Sequence, residues 1–472
     1  MSKQNLLVMK FGGTSVGTAQ AMAQAIEIVR QARLDWPGVV VVTSALSGVT
    51  NLLLQSAHQA TQGNYMAAEA QLRQMHQAIA DQLINDMARR AQARQEINHL
   101  LTEFSNLCRA IEILGEATPR ALDAVASLGE RMCVRLLSAA LESSGIPAQF
   151  VDASQLIVTD AHFMDAHPDM AATANKARLM LEPLISQGRV PVVTGFIGAT
   201  PEGVITTLGR GGSDYSAGIL GAALPADDVW IWTDVDGVMS ADPRVVPEAR
   251  TISELTYREI AELAYYGAKV LHPKTVRPVI ETGIGLRICN TFNPAHPGTR
   301  LVAERTADGT VAKAVTAIRG QRLITIEGRG MLGVPGVAAR TFAAVASTGT
   351  SVPLITQASS EQSICFAVPA SAADQVTAAL AKAFSSELST RDIDKIWASQ
   401  EVVIITVVGI GMIHTPGIAG KIFSAVGSAR INVIAIAQGS SEVSISLVVD
   451  AKESDHAVRT LHGLIIEDNG RG

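Results

Sequence analysis

The chain has only four cysteines in 472 residues, Cys108, Cys133, Cys289 and Cys365, with no CxxC pair and no histidine cluster at metal spacing. This argues against zinc and against a disulfide framework, and it reads as reduced thiols of a cytoplasmic protein. No uninterrupted apolar run reaches the ~18 residues of a membrane span, and residues 1–9 hold too few apolar side chains for a signal peptide. Blocks of basic residues are also missing. With a net charge of −6, nucleic acid and anionic membrane are excluded as main partners, so the ligands should be small molecules. Proline is absent from Leu52 to Ile113, which predicts mostly helix there with surface charges such as Arg73, Arg89, Arg90, Arg94 and Glu96.

What the chain does contain is organised around Val8-Met9-Lys10-Phe11-Gly12-Gly13-Thr14-Ser15. Leu6 to Met9 read as a short buried strand, and the Gly-Gly pair lets the backbone turn tightly enough to aim amides at one anion. Lys10 adds a mobile full charge. Ala19, Met22, Ala25, Ile26 and Val29 follow at helical spacing, which puts the loop at a helix N-terminus favourable to phosphate. A bare tight turn is the competing reading. No Gly-Lys-Thr/Ser follows, so this is not a Walker A loop. Apolar runs at Val39–Val42, Val190–Val193 and Val229–Trp232 alternate with helical segments around Ala172–Ile185 and Ser216–Ala223, giving a doubly wound α/β region up to roughly residue 300. Ligands of such sheets bind beyond the carboxyl ends of the strands.

The last third repeats itself. Gly330-Met331, Pro335-Gly336, Phe342, Gln357, Ser359-Ser360-Glu361 and Ser363-Ile364 recur at Gly411-Met412, Pro416-Gly417, Phe423, Gln438, Ser440-Ser441-Glu442 and Ser444-Ile445, at a constant offset of 81 residues. Each copy reads as a small α+β unit of strand, glycine-proline loop, helix and two strands.

Three further segments carry chemistry. In Thr206-Thr207-Leu208-Gly209-Arg210-Gly211-Gly212-Ser213-Asp214-Tyr215, glycines clear space for a ligand, Arg210 can clamp a carboxylate and Asp214 can hold a lysine. A flexible surface hairpin is the competing reading. Trp232-Thr233-Asp234-Val235-Asp236-Gly237, followed by Asp242-Pro243-Arg244, suits nucleotide or magnesium contacts, although carboxylates at a strand end are often only caps or Asx turns. Gly267-Ala268-Lys269-Val270-Leu271-His272-Pro273 supplies a second lysine. Glu130, among apolar helix positions, is either paired to Arg131 or Arg135 at the surface or turned inward to receive a substrate ammonium.

Together these motifs resemble the aspartokinases in order and spacing along nearly the whole chain. The resemblance implies a three-layer α/β/α amino-acid-kinase domain with a mostly parallel sheet over residues 1–305. Two ferredoxin-like ACT domains would follow, one of 321–394 inserted into another of 306–320 with 395–472. It implies ATP-dependent phosphorylation of the aspartate β-carboxylate, with Mg, in the pathway to lysine, threonine and methionine. Lys10, Asp214 and Lys269 would be catalytic, the lysines neutralising phosphates and Asp214 organising them. Gly12 and Gly13 would donate amides to ATP, with Phe11, Thr233, Asp234, Met239, Arg244 and Val270 also at the nucleotide. Met239 stands where the family usually has a tyrosine, so a changed adenine or ribose contact is expected there. Glu130 would take the aspartate ammonium and Arg210 its α-carboxylate, with Ser44, Thr50, Gly211, Gly212 and Ser213 around the substrate. No general base is needed, because a carboxylate is already an anionic nucleophile; the barrier lies in bringing two negative groups together. No metal held by protein side chains is expected.

The repeat resembles the ACT pair of the kinase half of bifunctional aspartokinase/homoserine dehydrogenases, which implies feedback by threonine at Gln357 and Gln438, with Asn432. Lysine-sensing relatives tend to have an aspartate where this chain has Pro353. The same units imply a homodimer or higher oligomer. A dehydrogenase half is not expected, since Gly409-Ile410-Gly411 runs into His414 where a dinucleotide loop needs a third glycine. The chain reads as a monofunctional enzyme or an excised piece. The rival readings are another kinase of the same superfamily and a non-catalytic amino-acid sensor.

Overall fold

Uninterrupted apolar runs near the start of the chain become central strands of a sheet covered on both faces. The computed structural model describes residues 5–267, 271, 273–304, 311–331, 334–357 and 362–469, with 273 and 466–469 by backbone alone. In it β1 (Leu6–Phe11) and β2 (Gly38–Thr43) pair in parallel with every residue buried. Between them lie a single turn, α1 (Gly13–Val16), and α2 (Ala19–Asp35), capped by the Thr18 hydroxyl, which accepts from Ala21 N. The proline-free stretch is helical as expected, forming α3 (Val49–Ala60), α4 (Met66–Leu83) and α5 (Met87–Leu114). Next come α6 (Pro119–Ser143), β3 (Ala148–Val151), α7 (Met170–Ser186), β4 (Val190–Thr194), the hairpin of β5 (Ile197–Ala199) and β6 (Ile205–Thr207), α8 (Gly212–Ala223) and β7 (Asp228–Thr233). The series closes with β8 (Glu254–Thr256), α9 (Tyr257–Tyr265), α10 (Pro273–Thr282), β9 (Gly285–Asn290) and β10 (Thr299–Val302).

The strand order is β3-β4-β2-β1-β7-β9-β10-β8, parallel at every pairing except β9 with β10. Helices α2 and α6 pack on one face, backed by α3 to α5, and α7 and α8 pack on the other. The chain leaves β1 toward β2 on one side and later places β7 on the other. The carboxyl end of β1 is therefore a topological switch point, where the fold opens a crevice.

The second compact unit is built on β11 (Ala314–Glu327), α11 (Val337–Ala346), β12 (Leu354–Gln357), β13 (Ser363–Pro369), α12 (Ala373–Ala383), α13 (Ser385–Thr390), β14 (Lys395–Val408), α14 (Ile418–Ser428), β15 (Ala435–Gln438), β16 (Ser444–Asp450) and α15 (Ser454–Asn469). Its antiparallel sheet runs β12-β13-β11-β14-β16-β15. Both long strands serve both repeats: Ala314–Ile318 pairs with Val408–Ile404, and Ile324–Glu327 pairs with Ala398–Lys395, with the register slipping in between.

The duplication is visible bond by bond. Gly328 N donates to Gln362 O as Gly409 N donates to Val443 O, and helices α11 and α14 start after Gly336 (φ 90°) and Gly417 (φ 88°). Gln357 and Gln438 end matching strands, opposite Ile364 and Ile445. Two earlier stretches, Met239–Arg250 and most of α9, belong to this unit as well. Ala241 and Val246 are buried in the core of its second repeat. On α9, Glu259 is wholly buried, accepts from Ile410 N at 2.9 Å and lies 3.6 Å from the Lys313 ammonium, while Glu262 accepts from the Ser444 hydroxyl at 2.6 Å.

Candidate active site

At the switch point lies an open cleft of about 480 Å³, walled by the segments after β1, β2 and β7, the start of α8 and one residue of α6. Of the residues expected there, Lys10, Gly12, Gly13, Ser44, Thr50, Glu130, Gly211, Gly212, Ser213, Asp214, Thr233 and Asp234 line it. Five stretches far apart in sequence thus converge.

Lys10, next to last in a buried strand, is 8% exposed and forms an ion pair with Asp214 in the first turn of α8. Gly129 lets α6 approach the segment after β2, because a Cβ there would lie 2.8 Å from that of Ala45. The next residue, Glu130, is 3% exposed; its Oε1 accepts from Ala45 N at 3.1 Å and its Oε2 has no partner. Burial pushes its pKa up to about 8, against the lowering effects of the Ala45 amide and the Lys10 charge. Burial favours the neutral acid, and the carboxyl group is turned inward: the surface pairing with Arg131 or Arg135 does not form.

The expectations for the Gly12 amide and the Phe11 side chain need correction. The amide of Gly12 is engaged, since Gly12 N donates to Trp232 O at 3.1 Å as a continuation of the β1–β7 ladder, and so cannot donate to a phosphate. Phe11 is wholly buried and stacks on Trp232 with centroids 6.1 Å apart, so its side chain belongs to the core. The loop does not meet the helix that starts at Ala19; the single turn α1 intervenes because Gly12 already acts as an N-cap. Arg210 is exposed and does not line the cleft, although Gly209 and Gly211 on either side of it do. Lys269 and Val270 lie outside the described residues. Met239 and Arg244 belong to the second unit, where Arg244 is exposed and paired with Asp242.

Among the described residues the cleft therefore holds one lysine, not a ring of cations. The backbone adds to its attraction for anions. Helices α1, α3 and α8 all begin at its wall, after Gly12, Gly48 and Gly211, and none has a side-chain cap. Uncapped N-termini direct partial positive charge and N–H groups outward. The sequence reading missed Leu46, Ser47, Gly48, Asn51 and Phe196 in the wall. Ser47-Gly48 after a β-branched strand was the available signal.

A second cavity, of about 390 Å³, lies in the first repeat between the loop after β11, the start of α11 and the end of β12, with Gln357 and Ile364 in its wall. Gln438 and Asn432 of the second repeat are exposed. Among the described residues no helix is long and apolar enough to cross a membrane.

A family model described as "Amino acid kinase family" matches residues 5–290, and one described as "ACT domain" matches 324–384 and 405–464. The chain is 38% identical over 469 residues to the chloroplastic bifunctional aspartokinase/homoserine dehydrogenase 1 of Zea mays, covering 96% of this chain and 50% of that protein. It thus spans about half the length of such bifunctional relatives. It is 32% identical over 463 residues to the lysine-sensitive aspartokinase 3 of Escherichia coli (strain K12), covering 98% and 99% of the two chains. The crystal structure of E. coli aspartokinase III in complex with aspartate and ADP (R-state) superposes with a TM-score of 0.81 at 31% identity, over 97% of this chain and 99% of that one. On fold, on the convergence of these segments and on these likenesses, the chain belongs to the amino acid kinase family, as an aspartokinase with ACT units.

Proposed function

We propose that the cleft transfers the terminal phosphoryl group of ATP to the β-carboxylate of L-aspartate, giving 4-phospho-L-aspartate. The observation that carries this reading is Glu130, a buried carboxyl group with one unpartnered oxygen in the same wall as Lys10. An α-ammonium satisfies that oxygen, whereas a nucleotide acceptor leaves it desolvated and alone. Lys10 neutralises the phosphates, held by Asp214, and the N-termini of α1, α3 and α8 add backbone N–H groups. Ser44, Thr50 and Ser213 orient the β-carboxylate for in-line attack. Arg210, on a loop flanked by glycines, reaches the α-carboxylate by a change of rotamer. Thr233 and Asp234 face the nucleotide. Magnesium enters as part of the Mg-ATP substrate, and Asp234, exposed in the cleft, is available to its water shell. Catalysis is then positioning plus electrostatic stabilisation.

For regulation, the cavity beside Gln357 takes an amino acid, threonine by preference, since Pro353 offers a lysine effector no charge partner; Gln438 and Asn432 serve the matching place in the second repeat. A glutamine can accept from an ammonium and donate to a carboxylate. As boundaries we take 1–305, 321–394, and 306–320 with 395–472, on the support of the split register of β11 and β14. Exposed Ile355 and Ile436 on the edge strands β12 and β15 support self-association through this sheet. Four free cysteines suit a reducing compartment such as the cytoplasm.

The test is a hydroxamate assay for the acyl phosphate with purified protein, Mg-ATP and, in turn, aspartate, glutamate and acetylglutamate. Aspartate-dependent product is expected. No product with any acceptor, while threonine still binds, leaves the sensor reading standing.

A further inference from the structure

Seven residues before Glu130, on the same face of α6, sits a second buried carboxylate, Asp123, which is 0% exposed. It does not touch the cleft. Its Oδ1 accepts from the Thr207 hydroxyl at 2.6 Å, and its Oδ2 accepts from Thr207 N at 3.1 Å and Met164 N at 3.0 Å. Those partners frame the arginine loop. Thr207 closes strand β6, and Leu208, Gly209 and Arg210 follow at once. Met164 has φ 71°, a left-handed conformation that a non-glycine residue keeps only when its surroundings enforce it.

The 164–165 segment in turn presses on the loop. A Cβ at Gly209, itself at φ 75°, would come within 2.4 Å of the Asp165 carboxylate and 3.1 Å of Met164 O. Leu208 N donates to Phe196 O at 2.9 Å and Gly212 N to Gly209 O at 3.0 Å, which ties the far side of the loop to the cleft wall. One rigid helix thus holds the group facing the cleft and, about 10 Å further along its axis, the anchor of the opposite rim.

We propose that Asp123 is a positioning residue for substrate recognition: it fixes Thr207 and Met164 so that the Gly209–Gly211 loop presents Arg210 to the α-carboxylate while Glu130 takes the ammonium. The inference rests on the aspartate kinase reading. It assigns Asp123 to the aspartate end of the cleft and not to the nucleotide.

The experiment compares wild type, Asp123→Asn and the milder Thr207→Val, titrating aspartate and Mg-ATP separately and recording Tm. Asparagine must turn an N–H toward one of the donors, and valine removes only the hydroxyl bond. The aspartate KM should rise about tenfold in the first variant and about threefold in the second, with the ATP KM within about twofold of wild type in both. Equal rises in the two KM values, or a fall in Tm with both KM values unchanged, overturn the proposal. If Asp123→Asn does not fold, Thr207→Val alone decides on the same criterion. Absence of aspartate-dependent turnover in wild type would sink the kinase reading together with this inference, whereas an active wild type with an unmoved aspartate KM in the variants sinks this inference alone.

Discussion

Glu130→Gln tests the substrate site through its pH dependence. Burial raises the Glu130 pKa to about 8, while its ordinary value is 4.5. Below pH 8 the group carries a proton that an incoming ammonium must displace, so aspartate binding releases a proton. The aspartate KM of wild type should therefore fall about tenfold per pH unit from pH 6 to pH 8 and level off above that. The ATP KM should not follow. Removing the charge from a buried ion pair costs about 3 kcal/mol, which places the KM of the glutamine variant about a hundredfold above wild type at pH 8. At pH 6 wild type has itself lost most of the charge. The ratio of the two KM values should shrink to near one.

The same group has an opposite effect on the stability of the empty protein. Its folded pKa lies above its unfolded value, so the folded state binds the extra proton between about pH 4.5 and 8, and stability is lost as pH rises through that window. The full difference corresponds to about 5 kcal/mol. Urea midpoints at pH 5 and pH 9, without and with aspartate, measure it: wild type should weaken at pH 9 and recover with aspartate, and Glu130→Gln should do neither. A ratio of KM values independent of pH, or a variant whose midpoints follow those of wild type, would refute the assignment of the ammonium to Glu130.

Lys10→Ala should lower kcat by at least about a hundredfold while circular dichroism stays native, because the lost charge acts on the transferring phosphate; near-normal kcat would remove Lys10 from the phosphate site. His76, wholly buried on α4, has Nδ1 2.7 Å from Leu72 O and no partner for Nε2, and burial lowers its pKa to about 4. The unfolded chain therefore takes up the proton first as pH falls below 6.5, and about 3 kcal/mol of stability should drain away by pH 4. His76→Leu should flatten that part of the urea-midpoint profile, and an unchanged slope would place the acid lability elsewhere. Gln357→Ala should shift the threonine inhibition curve to higher concentration more than Gln438→Ala, since Gln357 is in the wall of the described cavity; equal or reversed shifts would move the dominant effector site to the second repeat.

How much of this was legible in sequence depended on whether a feature had a local signature. Strands β1, β2, β4 and β7 were readable because burial on both faces leaves them as uninterrupted apolar runs. Glu130 was readable as a question, being a charge among apolar helix positions, and the tight packing at Gly129 answers it. Asp123 stands in the same helix with the same kind of neighbours, and a spacing of seven residues puts two carboxylates on one face. It passed unnoticed because its partners, Thr207 and the Met164 amide, are 84 and 41 residues away and carry no charge to suggest a pair. The engaged amide of Gly12 was hidden for a related reason: which N–H groups a glycine turn leaves free depends on where the neighbouring strand ends, and that strand is β7, some 217 residues on from Ser15, whose hydroxyl donates to the same Trp232 carbonyl.

The sequence reading credited the amides of the Gly12-Gly13 turn and one helix N-terminus, and assigned the rest of the cleft's attraction for anions to lysine and arginine because only formal charges can be counted along a chain. Three glycine-capped helix starts are each weak alone, equivalent to about half a unit charge. Each looks like an ordinary turn until the fold brings them together. Their convergence also explains why glycine is preferred at the caps: Gly48 (φ 81°) and Gly211 (φ 73°) adopt left-handed backbone, and a serine or aspartate cap would occupy the N–H groups that a phosphate or carboxylate needs.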